Sequence, residues 1–145
     1  MTDTDVAAAP LAGGRRRIRT WQTLLGAAVI TAVVNLIVLL IADAAGASLV
    51  LKLNGKDDEV GAPDVLFASI VPLLVGVGVA VLLARWKPVF LRVAQIVAGA
   101  LAVLSAIGPL TGDTDTGTGV TLAVMHLLVG AAAVATLEAV RRSHA

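Results

Sequence analysis

The chain has 145 residues, of which 58% are hydrophobic and only 14% charged, and it contains no cysteine. Soluble domains average about 25% charged and about 45–50% apolar residues, so this composition excludes an ordinary soluble domain and indicates a membrane protein. The missing cysteines exclude disulfides, thiol catalysis and cysteine-ligated metal. The formal net charge is only +1, but the charges are distributed very unevenly along the chain.

The sequence divides into two tails and one apolar domain. Residues 1–20 are predicted to be a disordered cytoplasmic tail that ends in a basic cluster, and residues 141–145 form a second cytoplasmic tail. Residues 21–140 contain four apolar runs, at about 21–42, 65–84, 89–110 and 120–139. Each run is close to the roughly 20 residues that a helix needs to cross a bilayer, and a lipid-exposed backbone must be helical to satisfy its own polar groups. Short connections favour an all-α, up-down-up-down four-helix bundle in the membrane.

Basic residues mark one side of this bundle. That side carries nine of the 11 lysines and arginines, namely Arg15, Arg16, Arg17, Arg19, Arg85, Lys87, Arg92, Arg141 and Arg142. The remaining two, Lys52 and Lys56, lie among acidic residues in the first outer loop, and the second outer loop, residues 111–119, carries only acidic charges. Because lysine and arginine are enriched in cytoplasmic loops, we expect both termini in the cytoplasm and the protein in the plasma membrane.

A cleavable signal peptide is the main alternative for the first run. Basic residues precede it, and small residues around Ala42–Ala47 resemble a cleavage site. The apolar stretch is longer than the roughly 7–15 residues of a secretory signal core, which favours a retained first span.

Two outer-loop stretches carry local structural signals. Asn54-Gly55 suits a tight turn, and residues 48–53 before it fit either a short strand or a membrane-surface segment. Residues 56–59 after it are too charged to be a convincing partner strand. In the second loop, Asp113 and Asp115 faintly resemble a calcium loop, but the closing glutamate is missing, which favours a flexible turn between two helices.

Small residues at every fourth position predict how the helices pack, because close approach holds helices together in lipid. We expect such contacts along the faces Ala94–Ala98–Ala102–Ala106 in the third span and Ala131–Ala135–Ala139 in the fourth. Pro72 is predicted to kink the second helix, since it removes one backbone hydrogen bond.

The few polar residues inside the spans predict a buried polar layer in the outer half. Its candidate members are Asn35, Ser69, Ser105 and His126. His126 shares a face with small residues, which predicts an inward orientation. A structural role, in which these groups bond across helices and set their register, is favoured over a functional role in a proton or ligand path.

Ionisable residues elsewhere in the spans suggest no chemistry. Glu138 lies three and four residues before Arg141 and Arg142, a spacing typical of a local ion pair. A single histidine falls short of the three or four ligands of a metal site. We therefore expect no metal, no cofactor, no catalytic residue and no nucleic-acid partner.

Two stretches resemble a known family. LSAIGPL at 104–110, paired with VMHLLVG at 124–130 and preceded by the asparagine-containing run at 27–42, resembles small four-span actinobacterial proteins of the domain of unknown function 6069. The resemblance covers nearly the whole chain after the arginine cluster. It implies the four-span architecture, carries no established activity, and picks out five positions: Asn35, Ser105, Gly108, Pro109 and His126.

Three functions remain to be weighed. A non-enzymatic structural, accessory or assembly subunit fits the small-residue faces and the scarcity of ionisable groups, and would associate with itself or with another membrane protein. A small transporter using the polar layer around Asn35, Ser105 and His126 is the alternative. An enzyme is disfavoured, because no convincing pair of nucleophile and base is present.

Overall fold

The computed structural model describes residues 12–53 and 55–144, with side chains described from Thr20 onward apart from those of Leu53 and His144. Four helices dominate the described chain: α1 (Ala12–Ala44), α2 (Ala62–Ala84), α3 (Val89–Thr111) and α4 (Thr116–His144). Each of them contains a segment long and apolar enough to cross a membrane. The predicted all-α membrane four-helix bundle is confirmed.

Three helices start earlier than the apolar runs indicated, α2 by three residues, at Ala62 instead of Val65. Helix α1 begins at Ala12, so residues 12–20, expected to belong to a disordered tail, have a helical backbone; arginine and isoleucine tolerate helix well. Residues 1–11 of that tail lie outside the described residues. Helix α4 begins at Thr116, four residues before the predicted start at Val120, because a polar first turn can continue an apolar helix when it is capped.

The helices form an antiparallel bundle in chain order. Helix α1 packs against α2 and α4, while α3 packs most extensively against α4 and less against α2. The α1–α2 and α3–α4 connections meet at one end of the bundle, which we call the hairpin end. The α2–α3 connection lies at the opposite end, the tail end.

A two-stranded hairpin covers the hairpin end and corrects one prediction. Strand β1 (Val50–Leu53) pairs antiparallel with β2 (Lys56–Glu59), although β2 seemed too charged to be a strand. All four residues of β2 are exposed, so its charges remain outside the core, and Lys52 stands opposite Asp57, a favourable cross-strand charge pair. The turn contains Gly55 with φ +76°, a conformation that glycine adopts without strain.

Two apolar clusters form the core. The cluster toward the tail end centres on Leu24, Leu73, Val77, Leu91 and Leu137 and draws on all four helices. The cluster toward the hairpin end includes Leu39, Val65, Leu122 and Met125, and it extends to Leu49 beside the hairpin. The bundle is therefore packed solidly near the tail end, and its outer core is continuous with the hairpin.

Close packing of small residues is strongest between α3 and α4. A Cβ atom added at Gly130 would lie 2.1 Å from the Cβ of Ala102, so the two backbones approach there as only glycine permits. Ala102 and Ala106 are buried, as the α3 pattern predicted. The prediction for α4 is wrong: Ala131, Ala135 and Ala139 are exposed, because the buried face of α4 is the neighbouring one that carries Gly130.

Candidate functional site

An elongated cleft of about 670 Å³ lies between α2, α3 and α4. Most of its wall is apolar, but all four members of the predicted polar layer line it, with Asn35 contributed by α1. Gly76 on α2 leaves additional room, since a Cβ atom added there would meet nothing within 4 Å. The helices thus bring the predicted polar residues together around one space.

Asn35 and Ser69 form the buried part of the layer. Each side chain is 1% exposed, and the Asn35 Nδ2 amide donates a hydrogen bond of 2.8 Å to Ser69 Oγ. The Asn35 Oδ1 atom is buried and, among the described residues, has no hydrogen-bond partner. Turning the amide over would leave the nitrogen in that position, so Ser69 satisfies only one of its two polar groups. An unsatisfied polar group in an apolar medium is costly.

Ser105 and His126 depart from the expectation of burial. Both side chains are exposed at the cleft. Ser105 Oγ donates to the Ala102 carbonyl of its own helix at 3.1 Å, and His126 Nδ1 lies 2.7 Å from the Leu122 carbonyl. A carbonyl only accepts, so Nδ1 carries the proton, and Nε2 of a neutral ring is left as an acceptor. Among the described residues, the hydrogen bonds of Ser105 and His126 stay within their own helices.

Two prolines change the backbone of the helices that line the cleft. Pro72 lies inside α2 and Pro109 inside α3. Proline has no N–H, so the carbonyls of Ala68 and Ser105, four residues earlier, lack their usual helical donor. Ala68 and Ser105 both line the cleft, which therefore offers backbone acceptors as well as side-chain acceptors. Helix α2 continues through Pro72 to Ala84.

The mouth of the cleft at the hairpin end is acidic. Asp58, Glu59 and Asp64 contribute to its wall. Asp64 accepts a hydrogen bond of 2.9 Å from the Gly61 amide at the start of α2. Among the side chains that the structure describes, from Thr20 onward, no basic group forms an ion pair with Asp58 or Glu59. The mouth thus has a negative charge that the described fold leaves uncompensated.

Asp115 joins the two outer loops. Its carboxylate accepts hydrogen bonds from the hydroxyls of Ser48 and Thr118 and from the Thr118 amide at 3.1 Å. Asp115 therefore caps α4 and also holds the chain that leads into β1. The turn at 111–119 is consequently bonded to the hairpin, where the sequence favoured a flexible connection. An aspartate just before a helix is a recognisable capping signal, and the sequence analysis missed it.

The Asp115 network also holds a strained residue. Leu49 is a buried leucine with φ +53°, a left-handed conformation that is unfavourable for any residue with a side chain. Its N–H donates to Thr118 Oγ1 at 2.8 Å, and its carbonyl accepts from the Val60 amide at 2.8 Å. Bonds on both sides of the residue keep the backbone in this conformation.

Hydrogen bonds to the carboxylate favour its charged form. The hydroxyl of Ser48, followed by the hydroxyl and amide of Thr118, holds the pKa of Asp115 well below its ordinary value. The carboxylate is therefore ionised at neutral pH, and its charge strengthens the bonds that join the loops.

Glu138 forms the predicted ion pairs near the tail end. Its carboxylate lies 2.7 Å from Arg141 and 2.7 Å from Arg142. It also accepts a hydrogen bond of 3.1 Å from Gln95 Nε2 on α3, an interhelical contact that the sequence did not predict. Glu138 thus ties α3 to α4 on the side of the bundle away from the cleft.

The basic residues at the tail end are placed as the topology requires. Leu91 and Val140 belong to one core cluster with Leu24, so the basic groups that follow them, at Arg92 and Arg141, lie at the same end. Arg85 and Lys87 in the α2–α3 connection, and Arg142 beside Arg141, lie at this end as well. All three are exposed. Arg15, Arg16, Arg17 and Arg19 follow the start of α1, and their side chains lie outside the described residues.

Metal-binding side chains do not gather in the part of the chain that the structure describes. Within it, no group of three His, Cys, Asp or Glu residues is arranged to hold a metal ion. The polar residues that line the cleft are suited to hydrogen bonding, not to holding a metal ion.

The fold and the cleft define a small multi-pass α-helical membrane protein. The model of a family of unknown function, DUF6069, matches residues 15–143, and the chain belongs to that family. No curated protein and no solved structure matches the chain.

Proposed function

We propose that this protein is a non-enzymatic structural or accessory subunit of the plasma membrane, with both termini in the cytoplasm. The observation that carries the proposal is the bonding of the bundle at both ends. Leu24, Leu73 and Leu137 close the tail end with apolar packing, and Asp115 cross-links the two outer loops at the hairpin end. Such a bundle is suited to supporting other proteins.

The acidic and basic groups support the same role. Asp115 bonds Ser48 and Thr118, and Glu138 bonds Gln95 and two arginines. His126 donates to its own helix. A catalytic acid or base needs a free valence aimed at a substrate together with a partner that orients it. Asp115 and Glu138 are engaged in bonds that hold helices and loops, and the described partner of His126 is a backbone carbonyl of its own helix.

The expected partners are the lipid bilayer and either a second copy or another membrane protein; no nucleic acid is expected. Purification from native membranes in a mild detergent tests this proposal. We expect a homo-oligomer or a complex with a further membrane protein, detected by native mass spectrometry. Recovery of the monomer alone, from membranes solubilised under several mild conditions, would contradict a subunit role.

The cleft favours a second candidate, a small transporter that uses the polar layer around Asn35, Ser105 and His126. The apolar cluster toward the tail end opposes a continuous path, since Leu73, Val77 and Leu137 belong both to that cluster and to the wall of the cleft. Proton or solute uptake into vesicles, present with the wild type and abolished by Asn35→Leu, would establish transport in place of the accessory role.

A further inference from the structure

The cleft has the size and shape of a site for a small molecule. Ligand pockets commonly measure about 300–1,000 Å³ and are mostly apolar with a few polar groups, and this cleft measures about 670 Å³. Gly76 and Ala98 line the cleft, and their small size leaves space in it. An apolar body of moderate size therefore fits between α2 and α3.

Several polar groups of the cleft can accept a hydrogen bond. Asn35, which lines the cleft, has a buried oxygen without a described partner, and in the neutral form of His126 the bond from Nδ1 to the Leu122 carbonyl leaves Nε2 as an acceptor. The carbonyls of Ala68 and Ser105 lack their helical donors because of Pro72 and Pro109. A ligand that satisfies these groups must supply hydrogen-bond donors.

The carboxylates at the mouth favour a ligand with a positive charge. Asp58 and Glu59 line the mouth, and neither has an ion-pair partner among the side chains described from Thr20 onward. A cation is attracted to such a mouth and an anion is repelled. Lys52 stands opposite Asp57, and its ammonium lies 3.8 Å from Asp113, while Lys56 lies two residues before Asp58 on β2.

We propose that the cleft binds an amphipathic organic cation. The acidic mouth around Asp58, Glu59 and Asp64 attracts its charge, the apolar walls of α2 and α3 take its body, and the polar residues of the cleft, among them Asn35, lie along its length. This binding site is independent of the subunit role, because assembly is read from copurifying protein and ligand binding from the purified chain.

Ethidium is a suitable probe, because it combines a permanent positive charge, an apolar ring system and two amino groups. The full-length protein in phosphatidylcholine nanodiscs would be titrated with ethidium, and the rise in fluorescence corrected with empty nanodiscs. The anion 8-anilinonaphthalene-1-sulfonate serves as a probe of similar size and opposite charge. We expect saturable binding of ethidium and much weaker binding of the anion.

Gly76→Leu is the central variant, and Gly78→Leu is its matched control. A Cβ atom at either glycine meets nothing within 4 Å, so both helices should form, but only Gly76 lines the cleft. We expect Gly76→Leu to weaken ethidium binding about tenfold or more, while Gly78→Leu retains the wild-type affinity. Helix content measured by circular dichroism confirms that both variants are folded.

A second pair of variants avoids the helices altogether. The double variant Asp58→Asn/Glu59→Gln removes two of the three carboxylates at the mouth, and Asp57→Asn removes a charge on the same strand that lies outside the cleft wall. We expect weaker ethidium binding in the double variant only.

Equal affinities in Gly76→Leu and Gly78→Leu would overturn the proposal, and so would the anion binding as tightly as ethidium. A phospholipid retained in native mass spectra that ethidium does not displace would also overturn it.

Discussion

Gly130 of α4 lies directly against Ala102 of α3. A Cβ atom added at Gly130 would be 2.1 Å from Ala102 Cβ and 3.6 Å from the Ala98 carbonyl. The most extensive helix contact in the bundle, between α3 and α4, therefore depends on the absence of a side chain at this position.

Gly130→Ala should separate α3 from α4 and destabilise the protein. Overpacking of a tight contact costs about 1–3 kcal/mol, and the measurement is the midpoint of thermal unfolding in detergent. Gly78→Ala is the control, because a Cβ atom there meets nothing within 4 Å and alanine favours helix by up to about 1 kcal/mol. Equal midpoints for the two variants would contradict the close packing.

Ser69→Ala should be more destabilising than the double variant Asn35→Leu/Ser69→Ala. The single variant leaves the buried Asn35 amide without its hydrogen bond to Ser69, at a cost of about 1–3 kcal/mol for an unsatisfied group. The double variant replaces the amide with an apolar side chain of similar size, which suits the surrounding core. Both are compared by denaturation in mixed micelles.

His126→Ala provides the contrast within the polar layer. His126 is exposed and bonds only to Leu122 of its own helix, so we expect a thermal midpoint close to that of the wild type. A fall as large as that of Ser69→Ala would show that His126 contributes to helix packing.

Stability should depend on pH through Asp115. Its pKa is lowered in the folded protein by the hydroxyl of Ser48 and by Thr118, so the folded state holds fewer protons than the unfolded state around the ordinary pKa of about 3.9. The stabilisation is complete above about pH 4 and is lost as the pH falls below it. Thermal unfolding measured from neutral to acidic pH should show this loss in the wild type.

Asp115→Ala should abolish that part of the pH dependence and lower the thermal midpoint at neutral pH. Asp113→Ala is the matched control, since its contact with Lys52 is 3.8 Å long and exposed, and such surface pairs contribute about 0–1 kcal/mol. A larger effect of Asp113→Ala than of Asp115→Ala would assign the link between the loops to the wrong aspartate.

The orientation in the membrane can be tested with the three lysines of the chain, Lys52, Lys56 and Lys87. All three are exposed, so their reactivity depends on the side of the membrane. On intact cells, an impermeant amine reagent should modify Lys52 and Lys56 and spare Lys87, as read by mass spectrometry of peptides. Modification of Lys87 alone would place the termini outside.

Sequence alone determined the membrane class, the number of helices and the approximate position of each span. A bilayer imposes length and internal hydrogen bonding on each span, and these requirements are local, so the run from Val89 to Leu110 predicts α3 almost to the residue. The ion pairs of Glu138 with Arg141 and Arg142 were predictable for the same reason, since their spacing within one helix places them together.

Only the tertiary structure decided which side chains face one another. In a chain that is apolar on every side, small-residue spacing marked two faces of α4 as inward, that of His126 and that of Ala131. The structure buries Gly130 on the first face and leaves Ala131 exposed. The charged strand β2 can pair with β1 because its side chains are exposed, which the sequence does not reveal. The bond between Asp115 and Ser48 joins residues that are far apart in the chain. All four helices contribute to the cleft. Their arrangement buries Asn35 beside Ser69 and leaves His126 exposed.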